Sequence, residues 1–523
     1  MAWVAPASAR FAILAIAAGA ICSCSLSDEI GPTSLDAGEN EGAAVALDGG
    51  ARDAANDQAS PEDAAAEALP PEGATEDAGE PEEGSPPDAT PPSEAGDGDV
   101  TCKPGGSLVT LDGPITADTT LTCDHVYVVP SMLLVLAPHV LTIQQGTTLY
   151  MKTSASVVVA PGAKLVARGT PDQPIVFTSF NSTPGAGDWG AIGIFGQAPG
   201  NWGLDLYGDV ITQSVPQGAD WPGAVYPDGE AILGGGSAID DDSGILQYVR
   251  LEYGGCLSAT RPCPPDSIHE LLGLYGVGAG TLLDHVDLRQ GLEGCVFAEG
   301  GTFGMSHVVC QAHGSSGAFD FTRGNQSRAQ FLVGQETLKS NGEGIGIKGP
   351  KDDNQLEPLT APTIYNATLC GGGDASTTSG LLLVREPGGL LYDVLTTQFL
   401  AGAGMIQGVP TAQGMGLATT QVRSSIFYGN SGANLGYGVP RNNTDMPTWL
   451  LNADWMNAAS DPGLAGSCLD PDTLQMAPAA SLTVNATPPP ADGFFDPSAT
   501  FIGAFRDGSD TWASGNWIVW SQY

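Results

Sequence analysis

The stretch GLYGVGAGTLLDHVDLRQGLEGCVFAEGGTFGMSHVVCQAHGSSGAFDF, residues 273–321, decides the fold of this chain. Short apolar runs alternate with glycines in it, and Gly273, Gly294 and Gly317 each open such a run, 21 and 23 residues apart. Runs of this length bounded by turn residues predict β-strands, and no sustained apolar period of 3.6 residues indicates a helix. The chain therefore repeats a unit of short strands.

The repeat continues beyond this stretch. Further glycines open apolar runs at Gly344, Gly380 and Gly404, at intervals of 27, 36 and 24 residues. A second series of strands runs in phase with the first: Tyr248–Leu251, Leu283–Val286, Ser306–Val309, Ala329–Leu332, Ile364–Ala367 and Tyr392–Leu395. One coil of a β-solenoid contains about three short strands and three turns, and each coil covers the apolar side of the next.

Two other repeat folds fit less well. A leucine-rich repeat has a fixed leucine pattern that is absent here, and a propeller blade needs about 40 residues. We therefore predict an all-β chain in which residues 102–430 form a right-handed parallel β-helix. Residues 431–523 are predicted to be C-terminal coils or a cap of the same domain.

The N-terminus, residues 1–23, has the pattern of an export signal, because its apolar run is too short to span a bilayer as a helix. The run leads to two cysteines and resembles a bacterial lipobox, in which an aliphatic residue at −3 and a small one at −1 precede the lipidated cysteine. Ile21 and Ser23 satisfy these positions for Cys24. Lipidation at Cys24 is the prediction, with Cys22 as the alternative cysteine and free secretion as the alternative fate. Several acyl chains would hold the protein firmly on a membrane.

An acidic segment, residues 24–101, follows the signal. Between residues 25 and 100 there are 21 Asp or Glu and one basic residue, Arg52, which makes a net charge of 1 − 21 = −20. The segment has no aromatic residue and cannot bury enough apolar surface to offset the entropy of ordering. It is therefore predicted to be a disordered, self-repelling tether.

The formal net charge of the whole chain is −41, with only 18 Lys and Arg. Nucleic-acid binding is not expected, because it depends on cations that neutralise phosphates. A polyanionic substrate such as pectate would need a local basic patch, and the sequence contains no dense one.

Several motifs resemble bacterial surface lipoproteins that carry a right-handed parallel β-helix domain. The resemblance covers roughly residues 105–523 and includes the segments 141–147, 163–170, 174–179, 187–190, 241–244, 249–255, 330–333, 362–369, 495–505 and 512–520. It implies an outer-membrane or cell-surface location and no activity, since none is established for this group. Acidic pairs of the group's pattern are replaced here by Gln290–Glu293 and Gly314–Ser316, which puts any site built from those acids in doubt.

Eight cysteines remain after the lipobox, and an even number in an exported chain predicts disulfides. We expect four bridges, with Cys102–Cys123 closing the N-terminal end and Cys256–Cys263 closing a proline-rich loop. The candidates are Cys102, Cys123, Cys256, Cys263, Cys295, Cys310, Cys370 and Cys468. No Cys/His spacing typical of zinc occurs, and no cofactor is predicted apart from a weak Ca²⁺ candidate.

That candidate is the acidic run Asp240, Asp241 and Asp242. Adjacent strand residues point to opposite faces, so a solvated turn that caps the backbone near Ser243 is the favoured interpretation. Asp320 is a candidate catalytic carboxylate because it interrupts an apolar strand, although strand alternation predicts that it faces solvent.

Other candidates follow from register alone. Glycoside hydrolysis needs two carboxylates across a groove, for which Asp284, Asp287 and Glu293 are further candidates, and a lyase needs a basic residue. The scattered arginines are Arg289, Arg323, Arg328 and Arg385.

His285 and His307 occupy matching places in successive coils, which predicts a stacked pair and allows a metal site. Aromatic residues of the insertion 181–236 either stack on sugars or cover the core: Trp189, Trp202, Tyr207, Trp221 and Tyr226.

Two functions are therefore carried forward. The first is a cell-envelope lipoprotein that presents a rigid β-solenoid for adhesion or for binding a polysaccharide or an envelope protein, without catalysis. The alternative is a polysaccharide lyase or glycoside hydrolase of the β-helix kind, in which Asp320→Asn or Asp241→Asn would abolish activity.

Overall fold

The computed structural model describes residue 102 and residues 106–520 except 154, 203–218, 258–267, 313, 315–316, 337–341, 350–356, 373–378, 385–386, 401, 408–419, 431–445 and 465–475. These residues belong to one compact unit, residues 94–523. The predicted signal, the lipobox cysteines and the whole predicted tether, residues 24–101, lie outside the described residues. None of the helices in the described part has the length and apolarity to cross a membrane.

Sheet A contains fifteen of the described strands, which pair in parallel. They are β1 (Leu108–Thr110), β2 (Thr119–Leu121), β3 (Val126–Val129), β5 (Val140–Ile143), β6 (Thr148–Met151), β8 (Lys164–Arg168), β9 (Ile175–Ser179), β13 (Gly244–Glu252), β17 (Leu282–Arg289), β19 (Gly304–Ala312), β21 (Arg328–Glu336), β23 (Thr363–Cys370), β25 (Gly389–Thr397), β27 (Thr420–Arg423) and β28 (Ile426–Tyr428).

Sheet B contains nine parallel strands: β4 (Met132–Val135), β7 (Ser156–Val159), β10 (Ile192–Phe195), β16 (Leu272–Tyr275), β18 (Val296–Glu299), β20 (Phe319–Thr322), β22 (Glu343–Lys348), β24 (Ser379–Val384) and β26 (Gly402–Gln407). Two antiparallel hairpins are inserted between coils, β11 (Ala219–Val225) with β12 (Ala231–Gly234) and β14 (Cys256–Leu257) with β15 (Ile268–His269). A short helix α1 (Met446–Leu450) and a 3₁₀ turn (Ala453–Trp455) follow the last strand. The predicted parallel β-helix is confirmed.

The core is made by columns of inward side chains that repeat from coil to coil. In sheet B, Leu272, Val296, Phe319, Ile345 and Leu381 lie in register, and none is more than 1% exposed. Full burial of such a side chain contributes about 1.5–3 kcal/mol. The glycines do not form one column: Gly273 lies within β16 and pairs with Phe297, whereas Gly294 precedes the first residue of β18.

Sheet A turns a corner in the middle of each long strand. In the first coils, β8 and β9 are separate strands, and the two halves of β13 pair with them in turn. From β13 onward, one residue with positive φ replaces the connecting loop at this corner. We call these seven residues the corner ladder: Tyr248, His285, His307, Phe331, Asn366, Asp393 and Ser424, with φ of 49°, 55°, 54°, 57°, 54°, 58° and 53°.

The corner ladder stacks its side chains along the helix. Ring centroids are 4.4 Å apart between Tyr248 and His285, 4.3 Å between His285 and His307, and 4.7 Å between His307 and Phe331. A left-handed backbone costs a residue with a side chain roughly 1–2 kcal/mol, and each aromatic stack returns about 0.5–1.5 kcal/mol. Stacking therefore offsets a large part of the strain, and it confirms the predicted pairing of the two histidines.

The C-terminal segment, residues 476–520, runs back along this corner. Asp393 accepts the backbone N–H of Thr487 at 3.0 Å, and the Asn366 amide donates to the carbonyl oxygen of Phe501 at 2.6 Å. Farther toward the first coils, Asp287 accepts the N–H of Val519 at 3.1 Å. In its described part the segment contains no strand of either sheet, so it covers the outer side of existing coils instead of extending the stack.

Disulfides join Cys102 to Cys123 and Cys295 to Cys310, and Cys370 is also disulfide-bonded. The predicted Cys102–Cys123 bridge is therefore present. Cys263 and Cys468 lie outside the described residues.

Candidate functional sites

A polar cluster of Asp320, Glu343 and Lys348 lies on the outer face of sheet B. The Lys348 Nζ atom is 2.9 Å from Asp320 Oδ2 and 3.1 Å from Glu343 Oε1. Alternation correctly places Asp320 on the outer face, but the expectation that it faces solvent is wrong, because it is only 2% exposed. Its neighbours on β22 cover it.

Gly346 makes room for these carboxylates. A Cβ atom on this residue would stand 2.0 Å from Asp320 Oδ1 and 2.7 Å from Glu343 Oε1, so both oxygens crowd the same point above the sheet. Burial, followed by the negative charge of Asp320, raises the pKa of Glu343 to about 7. The same two acids raise the pKa of Lys348 against the opposing effect of burial. A protonated Glu343 can therefore donate a hydrogen bond to Asp320.

The sequence did not draw attention to Glu343 and Lys348. They flank the apolar run Gly344–Ile347, which the sequence pattern predicts only as another strand of the repeat. The sequence feature that points to Glu343 and Lys348 is a charged residue at each end of an apolar strand. That strand lies in register with β20, in which Asp320 also interrupts an apolar run.

A histidine cluster of Asp284, His285 and His307 lies on sheet A at the corner ladder. Asp284 Oδ1 is 2.9 Å from His285 Nδ1 and 3.1 Å from His307 Nδ1, and Asp284 Oδ2 accepts a hydrogen bond from the Gln247 amide at 3.0 Å. Although burial alone would raise the pKa of Asp284, the hydrogen bonds from the two histidines hold that pKa well below its usual range. The carboxylate is therefore held as an anion beside two imidazoles.

A cavity of about 350 Å³ opens between the corner ladder and the C-terminal segment. We call it the aromatic cavity, because rings form much of its wall: His307, Phe331, Phe494, Phe501 and Trp512. Hydrogen-bonding side chains complete the lining: Ser306, Gln330, Asp496, Ser498, Arg506 and Asp510. Aromatic faces beside amide, hydroxyl and carboxylate groups are the chemistry of a site for a polar ring-shaped ligand.

The acidic run Asp240–Asp242 forms a turn, as the favoured interpretation has it. Asp242 Oδ1 accepts the Gly244 N–H at 2.9 Å, and Asp241 Oδ2 accepts the Ser243 hydroxyl at 3.0 Å. The other Asp242 oxygen pairs with Lys164. Since these carboxylates have different partners, they do not converge on one point, and they are absent from the groups of described residues that could hold a metal.

The arginines considered as lyase bases are paired where the structure describes them. Arg289 lies 3.4 Å from Glu252, Arg323 3.1 Å from Glu299, and Arg328 3.1 Å from Asp492. Arg385 is outside the described residues. Among the carboxylates suggested by register, Asp287 and Glu293 are buried, at 0% and 2% exposure, and Asp287 lies on β17 of sheet A, whereas the polar cluster lies on sheet B.

The insertion aromatics cover the core where their side chains are described. Trp189 is fully buried and donates from Nε1 to the carbonyl oxygen of Glu252 at 2.7 Å, which confirms for this residue the alternative that it covers the core. Trp202 packs against glycine backbone at Gly200 and Gly235. Tyr226 is half-buried, whereas Tyr207 and the side chain of Trp221 lie outside the description.

These features define an all-β solenoid with two polar sites on different faces. A family model described as a pectate-lyase like beta helix domain matches residues 113–430. The chain belongs to this pectate-lyase-like β-helix family. No curated protein matches the chain.

Among solved structures, the crystal structure of the Dettilon tailspike protein (gp208) is similar at 10% sequence identity with a TM-score of 0.24. The similarity covers 69% of this chain and 64% of the tailspike chain, so this chain spans less than two thirds of that protein.

Proposed function

We propose that this protein is a lipid-anchored cell-envelope protein that binds a glycan in the aromatic cavity and does not cleave it. The observation that carries the proposal is the cavity itself, about 350 Å³ of space lined by both aromatic rings and hydrogen-bonding groups. The predicted signal, Cys24 lipobox and acidic tether would place the β-helix away from the outer membrane. Membership in a pectate-lyase-like family also supports a polysaccharide as the ligand class.

The charges around the aromatic cavity favour a neutral glycan. Its wall carries the carboxylates of Asp496 and Asp510, and its one lining arginine, Arg506, lies 3.3 Å from Asp507 Oδ2. A polyuronate would therefore meet acids and a cation that already has a partner. Repulsion of like charges makes a neutral polysaccharide the expected ligand.

The first experiment incubates the purified full-length protein with plant, algal and bacterial polysaccharides, with and without Ca²⁺. Pull-down reports binding, ultraviolet absorbance reports unsaturated lyase products, and a reducing-end assay reports hydrolysis. Binding of a neutral glycan without product is the expected result. Product above background on any glycan would contradict the non-catalytic proposal, and no binding across the panel would contradict the glycan proposal.

A matched pair of phenylalanines tests the location of binding. Phe494 lines the cavity with Arg328 4.8 Å from its ring centroid, and Phe180 lies elsewhere with Lys152 5.2 Å from its ring centroid. Phe494→Ala should weaken glycan binding roughly tenfold, since one sugar–aromatic stack resembles a stack worth about 1–1.5 kcal/mol. Phe180→Ala should leave affinity unchanged, and equal losses in both variants would remove the cavity as the site.

A second candidate function rests on the polar cluster. Its raised Glu343 pKa suits a general acid, and Lys348 holds Asp320 beside it. However, glycosidases separate their two carboxyl groups by about 5–9.5 Å, whereas these two share one point above Gly346 and one lysine. If product does appear, its loss in Asp320→Asn but not in Asp241→Asn would assign catalysis to this cluster.

A further inference from the structure

The histidine cluster brings three metal-ligating atoms together. The ligand atoms of Asp284, His285 and His307 all lie within 4.8 Å of one another, and this group alone does so among the described residues. Two imidazole nitrogens and one carboxylate oxygen are a donor set typical of divalent transition metals such as Zn²⁺.

The separations also fit shared coordination. Metal–nitrogen and metal–oxygen bonds of about 2.0–2.2 Å place neighbouring ligand atoms roughly 3 Å apart around one ion. Asp284 Oδ1 is 2.9 Å and 3.1 Å from the two Nδ1 atoms. Metal binding would displace the Nδ1 protons that bond to Asp284, so that each ring keeps its proton on Nε2 and turns an Nδ1 lone pair toward the ion.

The fold holds these side chains in place before any ion arrives. His285 and His307 lie at equivalent positions of β17 and β19, and both have the left-handed backbone of the corner ladder. Tyr248 and Phe331 stack on the outer sides of the two rings, and the Gln247 amide orients Asp284. Outer partners of this kind fix the geometry of ligands at metal sites.

We propose that Asp284, His285 and His307 bind one divalent transition-metal ion at the corner of the β-helix. The side chains are 19%, 14% and 23% exposed, so an ion can reach them and keep open coordination positions. His307 also lines the aromatic cavity, and the ion would therefore adjoin the space assigned to the glycan. The metal site stands on the cluster alone and does not require that the cavity binds a glycan.

The test uses untagged full-length protein, because a histidine tag would itself bind metal. Chelator-treated and dialysed protein is titrated with Co²⁺, whose visible absorption reports nitrogen and oxygen ligands, and Zn²⁺ is added as competitor. The expected result is one Co²⁺ per chain, displaced by Zn²⁺, with a rise in melting temperature that depends on metal concentration.

Two variants take their replacements from the corner ladder itself. His285→Tyr copies Tyr248, and His307→Phe copies Phe331, so each removes a ligand and keeps a stacked ring. Loss of a ligand should weaken Co²⁺ binding roughly 100-fold or more, since loss of an outer partner alone costs 10–100-fold. His139→Gln is the matched control, because His139 has its own single carboxylate, Asp118, at 3.6 Å.

Near-ultraviolet circular dichroism and melting in chelator show whether each variant is folded. Wild-type protein that binds no Co²⁺ at millimolar concentration would overturn the proposal and leave Asp284 as a carboxylate that accepts two histidine hydrogen bonds. Folded His285→Tyr and His307→Phe variants that bind as tightly as wild type would overturn it as well.

Discussion

Polar side chains lie both on the outer face of sheet B and along the corner ladder of sheet A, but the two groups have their bonding partners in different parts of the chain. On sheet B, Asp320, Glu343 and Lys348 neutralise one another within two neighbouring coils. At the corner ladder, a second chain segment supplies the partners, and Asn366 and Asp393 bond to the backbone of residues 487–501. The members of the sheet B cluster pair with one another, whereas the corner ladder and the C-terminal segment leave the aromatic cavity between them.

The difference teaches where a ligand can enter. A ligand that binds a cluster of mutually paired buried charges must first break those pairs, which costs binding free energy. A ladder covered by a separate segment can leave gaps, and the aromatic cavity is such a gap. For this reason the corner ladder, and not the catalytic candidate on sheet B, carries the proposed functions.

The largest expected effect on stability comes from removing the lysine of the polar cluster on sheet B. Lys348→Met leaves two buried carboxylates without their cation, which should lower the free energy of unfolding by about 3–5 kcal/mol at pH 7. The control Lys164→Met removes the exposed partner of Asp242 and should cost at most about 1 kcal/mol. Urea unfolding measures both, and similar costs would mean that the polar cluster is not the tightly coupled unit described here.

The next effect is a dependence of stability on pH. Burial raises the pKa of Asp393 to about 8 and that of Asp287 to about 7, each against a lowering by a backbone N–H of the C-terminal segment. The folded protein therefore keeps protons that the unfolded chain has already lost above about pH 4. Stability should fall as the pH rises from 4 to 8, by up to about 1.4 kcal/mol per pH unit for each such group.

Asp393→Asn isolates one of these groups. Asparagine suits the left-handed backbone, stands at the neighbouring ladder position as Asn366, and can still accept the Thr487 N–H. The variant should be more stable than wild type at pH 8 and should lose part of the slope between pH 4 and 8. Thermal melts across this range measure it, with the exposed Asp240→Asn as control. An unchanged slope would contradict a protonated Asp393.

The smallest effect concerns the stack itself. His307→Ala should cost about 1 kcal/mol more than His307→Phe in chelator, because both variants lose the hydrogen bond to Asp284 but only alanine removes the stacks on His285 and Phe331 and the edge contact with Trp512. Equal losses in the two variants would show that stacking does not stabilise the corner ladder. Guanidinium unfolding resolves this difference if both variants keep the same slope.

Much of the fold could be predicted because each coil of the solenoid corresponds to one repeat of the sequence. The matching of His285 with His307, the outward position of Asp320 and the turn at Asp242 all follow from period and alternation. The choice between the two roles of Trp189 could not be made in this way. An insertion that looks like a loop folds back on the coils, and only long-range contacts decide whether its aromatic residues are buried.

The sequence by itself determined the strand period and the all-β class, because these depend on neighbours in the chain or in the next coil. It also predicted the Cys102–Cys123 bridge, which the structure contains. Only the tertiary structure decided that Glu343 and Lys348 close over Asp320, and that residues 476–520 return along the corner ladder to form a cavity at His307. Residues far apart in the chain make these contacts, and no local propensity or period specifies where a segment without strands comes to rest.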